Sequence, residues 1–162
     1  MRTIIACSIG LLTTPAIAEV VQSRDHGFVV RYSFESPKSA ETLYAAFGQI
    51  GQWWNPAHSY SGKAANLRLT LRPGGCFCEA LANGGGIEHL SVKLVMPNQR
   101  VVMTGGLGPL LFEGVTGSFD VQFTPIATGS RVVITYSAAG FAKGGADKIA
   151  PAVDKVLGEQ VG

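Results

Sequence analysis

The chain has 162 residues, of which 15% are charged and 46% hydrophobic, and its formal net charge is +2 at pH 7. Charged residues make up about 25% of an average soluble protein, so much of this chain is expected to be interior or to line a cavity. The charges are scattered without basic runs, which argues against a nucleic-acid-binding protein.

Residues 1–18, MRTIIACSIGLLTTPAIA, combine a short basic start, an apolar stretch and small residues at Ala16 and Ala18. This pattern is typical of a secretory signal peptide. The apolar stretch is shorter than the roughly 20 residues that a helix needs to span a bilayer, so a membrane anchor is the weaker interpretation. We expect cleavage before Glu19 and one domain over 19–162, in the periplasm or secreted, with no integral membrane segment.

The domain is predicted to begin with a strand and two short helices. Residues 28–36 alternate apolar and polar side chains, as a half-buried strand does. Ser36 is the predicted N-cap of the first helix, Pro37 its first residue and Gly48 its end. A second short helix is predicted within 49–54.

Six further strands are predicted from the apolar segments at 67–71, 76–82, 87–96, 100–107, 114–123 and 131–138. Glycine, proline and asparagine fill the short connections, which favours antiparallel neighbours over parallel crossovers. Residues 144–160 place apolar side chains on one helical face and charged ones on the other. The predicted fold class is α+β: an antiparallel sheet of about seven strands, two short helices after strand 1 and a long C-terminal helix.

Particular motifs stand in a characteristic order along this framework: Ser36-Pro37, Trp53-Trp54, Pro73-Gly74-Gly75, and Pro97 followed by Arg100-Val101 and Thr104. With them, nearly all of 26–158 resembles the START-like superfamily with the helix-grip fold, also called SRPBCC. Within it, the chain is most similar to the branch of the activator of the heat-shock-protein ATPase and polyketide-cyclase-like proteins. The resemblance implies a curved sheet wrapped round the C-terminal helix, with a pocket between them for an apolar or amphipathic small molecule. It implies no cofactor and leaves any protein partner unknown.

The loop GQWWNPAHSYSG, 51–62, is the predicted clamp of that pocket. Two adjacent tryptophans in a turn cannot both face inward, so we expect one of Trp53 and Trp54 to fill the core and the other to line the cavity. His58 and Tyr60, two residues apart, would offer hydrogen bonds to the polar end of a ligand. The alternative is that the tryptophans only anchor the loop and His58 faces water.

The segment TGGLGPLLFEG, 104–114, is rich in glycine, but no lysine follows in the spacing of a phosphate-binding loop. Its apolar residues, including Leu110 and Phe112, are expected to form a flap at the pocket mouth or to pack into the core.

Cys76 and Cys78 are the two cysteines outside the predicted signal peptide. An exported chain meets oxidising conditions, so a disulfide between them is one alternative. In a regular strand, however, residues two apart have α-carbons roughly 6.5 Å apart and β-carbons well beyond the ~3.8 Å of a disulfide, which favours free thiols.

A two-residue turn at Asn83-Gly84 would place Cys78 opposite His89 and Glu79 opposite Glu88. Two chemistries follow from that register. In one, Glu79, Glu88 or His89 acts as an acid or base in the pocket.

In the other, Cys76, Cys78 and His89, with His58 from the tryptophan loop, bind Zn²⁺ or Cu⁺. The alternative to both is that the cysteines are small buried fillers and His89 a hydrogen-bonded pocket residue.

The leading hypothesis is an exported protein that binds a small hydrophobic molecule without covalent chemistry. The expected ligand-binding residues are Trp53, Trp54, His58, Tyr60, Cys78, His89, Leu110 and Phe112. The alternatives are a polyketide-cyclase-like or hydrolase-like enzyme, and a Cys/His metal-binding protein.

Overall fold

The computed structural model describes residues 17–161. One curved antiparallel sheet carries the strands β1 (Ile17–Arg24), β2 (Gly27–Ser36), β3 (Leu67–Leu69), β4 (Cys76–Ala80), β5 (Gly86–Met96), β6 (Arg100–Gly105), β7 (Val115–Ile126) and β8 (Gly129–Gly140). Their spatial order is β1-β2-β8-β7-β6-β5-β4-β3. Three helices accompany them: α1 (Ala40–Gly48), α2 (Ile50–Trp53) and α3 (Ala146–Val161). The predicted α+β class, antiparallel sheet and C-terminal helix are confirmed.

The sheet has eight strands where about seven were predicted, because β1 gives a weak signal in the sequence. A bulge between Val20 and Gln22 interrupts its pairing with β2, so its side chains do not alternate regularly. β1 also begins inside the predicted signal peptide, of which residues 1–16 lie outside the described residues. Among the described residues, no helix has the length and apolar character needed to cross a membrane.

Helix α1 begins at Ala40, three residues later than the sequence pattern predicted. Its N-cap is Ser39 and not Ser36, because the Ser39 hydroxyl accepts a hydrogen bond of 3.2 Å from the Thr42 backbone N–H. The short helix α2 follows, within the predicted range.

Helix α3 packs against β1 and β2, and two polar contacts fix its position on the sheet. The Ala146 backbone N–H, at its start, donates to the Asp25 carbonyl at 2.7 Å. Further along, the hydroxyl of buried Tyr32 donates to the Asp154 carboxylate at 2.6 Å and to the Asp154 carbonyl at 2.8 Å. Burial and the nearby Asp154 raise the pKa of Tyr32, so the hydroxyl keeps the proton that it donates.

Replacing Tyr32 by phenylalanine should lower the free energy of unfolding by about 1.5–3 kcal/mol, because it removes hydrogen bonds to a charged group and leaves Asp154 without them. Tyr44→Phe is the matched control: Tyr44 is half-buried against Phe123, and its hydroxyl has no hydrogen bond among the described residues. Urea unfolding measures both variants. Equal losses in Y32F and Y44F would show that the contact with α3 contributes nothing.

Candidate functional site

A cavity of about 290 Å³ opens between the tryptophan loop, the start of the flap and α3. Its wall is mostly apolar, with a few hydrogen-bonding groups at one side. The wall is formed by Trp54, Ala57, His58, Ser59, Tyr60, His89, Leu107, Gly108, Pro109, Val153, Val156 and Leu157. This volume is at the lower end of the roughly 300–1,000 Å³ typical of small-molecule sites.

The two tryptophans take different places in the structure. Trp54 is only 6% exposed, lies 5.1 Å from the Phe77 ring centre and lines the cavity. Trp53 stacks on Phe47 outside this cavity, and its indole N–H donates to the Ala46 carbonyl at 2.9 Å. Trp53 and Trp54 also border a narrow apolar space that continues beneath α3. Trp54 is therefore the indole in the cavity wall.

The tryptophan loop is fastened to the end of α3. The Asn55 backbone N–H donates to the Gln160 side-chain oxygen at 2.8 Å, and His58 Nε2 lies 2.6 Å from a Glu159 carboxylate oxygen. The His58 contact lowers the pKa of Glu159. His58 thus lines the cavity, but its Nε2 is paired with α3 rather than with Cys78 or His89.

Glu79, a buried residue of β4, holds the other end of the tryptophan loop. Its side chain is buried, and its oxygens accept hydrogen bonds from the backbone N–H groups of Tyr60 at 3.1 Å and Ser61 at 2.5 Å. The third donor is His89 Nε2 at 3.0 Å. A buried carboxylate needs such partners, so Glu79 fixes the loop and the imidazole together.

The pKa directions of this pair define its protonation state. Burial acts to raise the pKa of Glu79, but the hydrogen bonds from Ser61, Tyr60 and His89 outweigh it and hold the pKa below its ordinary 4.5. Burial lowers the pKa of His89 below its ordinary 6.5, against the opposing effect of Glu79. At neutral pH the pair is a carboxylate and a neutral imidazole. With the proton on Nε2, Nδ1 has no hydrogen bond among the described residues and is a free acceptor.

The register between β4 and β5 places His89 on the inner face, at a bulge in β5. Phe77 pairs with Leu90, but the next residue, Cys78, pairs with Glu88, so His89 is the extra residue between them. His89 and Leu90 are consequently both buried. The predicted two-residue turn is replaced by a longer one, which accounts for the shift. In it, the Leu81 backbone N–H donates to the Gly85 carbonyl at 2.9 Å.

The two cysteines form a disulfide, so the prediction of free thiols was wrong. Their α-carbons are 5.4 Å apart, closer than the roughly 6.5 Å of a regular strand. Both cysteines lie on the outer face of the sheet, opposite to His89. The structure therefore does not bring together the predicted metal ligands Cys76, Cys78, His89 and His58.

The predicted acid–base candidates are also separated. Glu88 is exposed on the outer face, whereas Glu79 is buried on the inner face, so they are not facing neighbours. Glu79 and His89 do meet, and of the two His89 lines the cavity. The predicted ligand-binding residue Cys78 does not line it.

The flap contributes different residues from those predicted. Leu107 and Pro109 line the cavity, because the Leu107 backbone N–H donates to the buried Tyr136 hydroxyl at 3.2 Å. Leu110 is buried in the core and outside the cavity wall. Phe112 is 73% exposed and packs edge-on against Tyr60, with ring centres 6.3 Å apart.

Several site residues were missing from the sequence-based set. Val153, Val156 and Leu157 of α3 form the apolar wall opposite the loop. The amphipathic pattern of the predicted helix was the signal that would have found them. The contacts of Glu159, Gln160 and Tyr136 join distant segments, and no local pattern indicates them.

Comparison with known proteins supports the fold and gives no information about the function. No known protein-family model and no curated protein matches the chain. An uncharacterized protein from Rhizobium leguminosarum is similar in structure, with a TM-score of 0.57 and 19% identity over 90% of this chain and 93% of that one. Mll3558 from Rhizobium loti has a TM-score of 0.55 and 19% identity over 89% and 95% of the two chains. CalU16 from Micromonospora echinospora has a TM-score of 0.53 and 10% identity, over 90% and 83%. At these identities the likeness establishes a shared α+β fold and no common activity.

Proposed function

We propose that the chain is an exported member of the START-like superfamily that binds a small apolar or amphipathic molecule in the cavity beneath α3. The observation that carries the proposal is the cavity of about 290 Å³ with an apolar wall and one buried polar pair at its edge. Such a composition is typical of small-molecule sites, where apolar area gives affinity and a few polar groups give orientation. The signal-like residues 1–18 support export.

The polar edge of the cavity defines the ligand further. His89 is neutral at neutral pH, and its free Nδ1 is able to accept a hydrogen bond from a ligand. A hydroxyl or N–H group on the ligand therefore fits this position better than a carboxylate, which the ionised Glu79 beside it would repel. We infer that the ligand is an uncharged apolar molecule with one hydrogen-bond donor.

An acid–base enzyme is the second candidate, because Glu79 and His89 form a carboxylate–imidazole pair at the cavity. Glu79 would orient the ring, and His89 Nδ1 would take a proton from a bound molecule. Incubation with a bound compound distinguishes the two functions. A binding protein returns the compound unchanged by mass spectrometry, whereas an enzyme converts it and loses that conversion in H89Q.

Filling the cavity should weaken ligand binding. In a W53F background, whose only tryptophan is the cavity residue Trp54, 2-naphthol should quench fluorescence more strongly at a given concentration than naphthalene, which lacks the donor. Val156→Phe, which projects into the cavity, should weaken binding of both compounds at least about tenfold, since it removes most of the space for a ring.

The control for this substitution is Val21→Phe, which adds the same volume at a site on β1 that is 53% exposed. It should bind like the parent protein. Unchanged affinity in V156F, or equal loss in V21F, would place the ligand elsewhere and refute the proposal.

The buried pair should also make stability depend on pH. The folded-state pKa of His89 is lowered, so the unfolded chain takes up the proton more readily and stability falls as pH drops below about 6.5. The lowered pKa of Glu79 adds a second loss as pH falls below about 4.5 and on through the folded-state pKa.

Free energies of unfolding at pH 5, 6, 7 and 8 measure the first effect. The wild-type protein should lose stability between pH 7 and pH 5, and His89→Gln should flatten that part of the profile. His26→Gln, at an exposed histidine in the β1–β2 turn, should retain the fall. An unaltered profile in H89Q would contradict the assignment.

A further inference from the structure

The Cys76–Cys78 disulfide lies outside the cavity and has no part in the proposed function. Both cysteines are half-buried on the outer face of the sheet, within reach of a reactant in solution. Their bond closes a loop with one intervening residue, Phe77.

A disulfide that closes so short a loop contributes little to the stability of the fold. The stabilisation by a disulfide grows with the length of chain that it encloses, and here the two cysteines are only two positions apart in the sequence. The bond joins β4 to itself and to no other element. β4 is already paired with β3 through Phe77 and Cys78, and with β5 through the same residues. Reduction therefore removes no link between distant parts of the chain.

Two charges of opposite sign flank Cys78. Arg68 of β3 is its partner on one side and Glu88 of β5 on the other, and directly paired residues of neighbouring strands project on the same face. Both are exposed. The Glu88 carboxylate lies within 4.8 Å of both sulfur atoms and accepts a hydrogen bond from the Ser91 hydroxyl. A cation beside a sulfur favours its thiolate, and an anion disfavours it.

We propose that Cys76 and Cys78 form a reversible thiol–disulfide exchange site for a dithiol partner. A thiolate of the partner attacks Cys76 Sγ and forms a mixed disulfide. The Cys76–Cys78 bond breaks, and its electron pair leaves on Cys78 Sγ, beside Arg68. The second thiol of the partner, as its thiolate, then attacks the mixed disulfide and releases Cys76. The partner loses two electrons and two protons, which the protein gains as two thiols, and the reverse sequence reoxidises it.

The experiment uses the full chain with C7S, in which Cys76 and Cys78 are the only cysteines. Dithiothreitol at pH 7 reacts with the folded protein, iodoacetamide traps the thiols, and intact mass counts them. Reduction should go to completion without denaturant, the melting temperature of the reduced protein should stay within a few degrees, and oxidised glutathione should restore the bond.

The flanking charges give the sharper test. Arg68→Gln should slow reduction about three- to fivefold, the size of effect expected of an exposed charge pair, and Glu88→Gln should accelerate it by a similar factor. Arg24→Gln, at an exposed arginine on the opposite edge of the sheet, should react like the parent protein.

A need for denaturant before reduction, loss of the fold on reduction, or equal rates in R68Q and E88Q would each overturn the proposal. Because the cavity lies on the other face, these outcomes are independent of ligand binding.

Discussion

The site depends on the hydrogen bonds that the buried Glu79 carboxylate accepts. An ionised carboxyl in the protein interior is unfavourable unless it is fully hydrogen-bonded, and here the donors come from the tryptophan loop and from His89. These hydrogen bonds hold the tryptophan loop in one position over the sheet, with the backbone N–H groups of Tyr60 and Ser61 directed at the carboxylate. The same contact holds the His89 ring against the cavity, and burial keeps the imidazole neutral. The hydrogen bonds of Glu79 thus hold the cavity wall, the tryptophan loop and the His89 imidazole together as one unit.

Helix α3 completes this unit because both of its ends are fixed by different parts of the chain. At its start the Ala146 backbone N–H donates to the Asp25 carbonyl, and its end is joined to the tryptophan loop through Glu159 and Gln160. Between these points the apolar side of the helix faces the loop across open space. A less tightly fixed helix would move toward the sheet and close that space, since unfilled apolar volume is unfavourable. The polar contacts at the ends therefore preserve the cavity.

Much of the fold follows from local patterns, and much of the site does not. Alternation and turn residues predicted β2 to β8 and α3, because the signal for each lies within its own segment. Strand β1 was missed where a bulge breaks the alternation. Register was the main obstacle: a shift of one residue between β4 and β5 decides which face His89 occupies, and the sequence pattern is nearly the same in both registers. The contacts of Glu159 and Tyr136 join segments far apart in sequence, so no local pattern could indicate them.

The register that the turn between β4 and β5 sets also decides which side chains share each face of the sheet. In the unshifted register, Cys78 and His89 would share a face and resemble a metal site. In the observed register Cys78 pairs with Glu88, so His89 lies on the inner face with Phe77 and Glu79 while both cysteines lie on the outer face. The carboxylate is then paired with an imidazole in an apolar environment, whereas the sulfurs lie between exposed charges. A shift of one residue in the register therefore separates the proposed ligand site from the proposed thiol-exchange site, on opposite faces of the same strand.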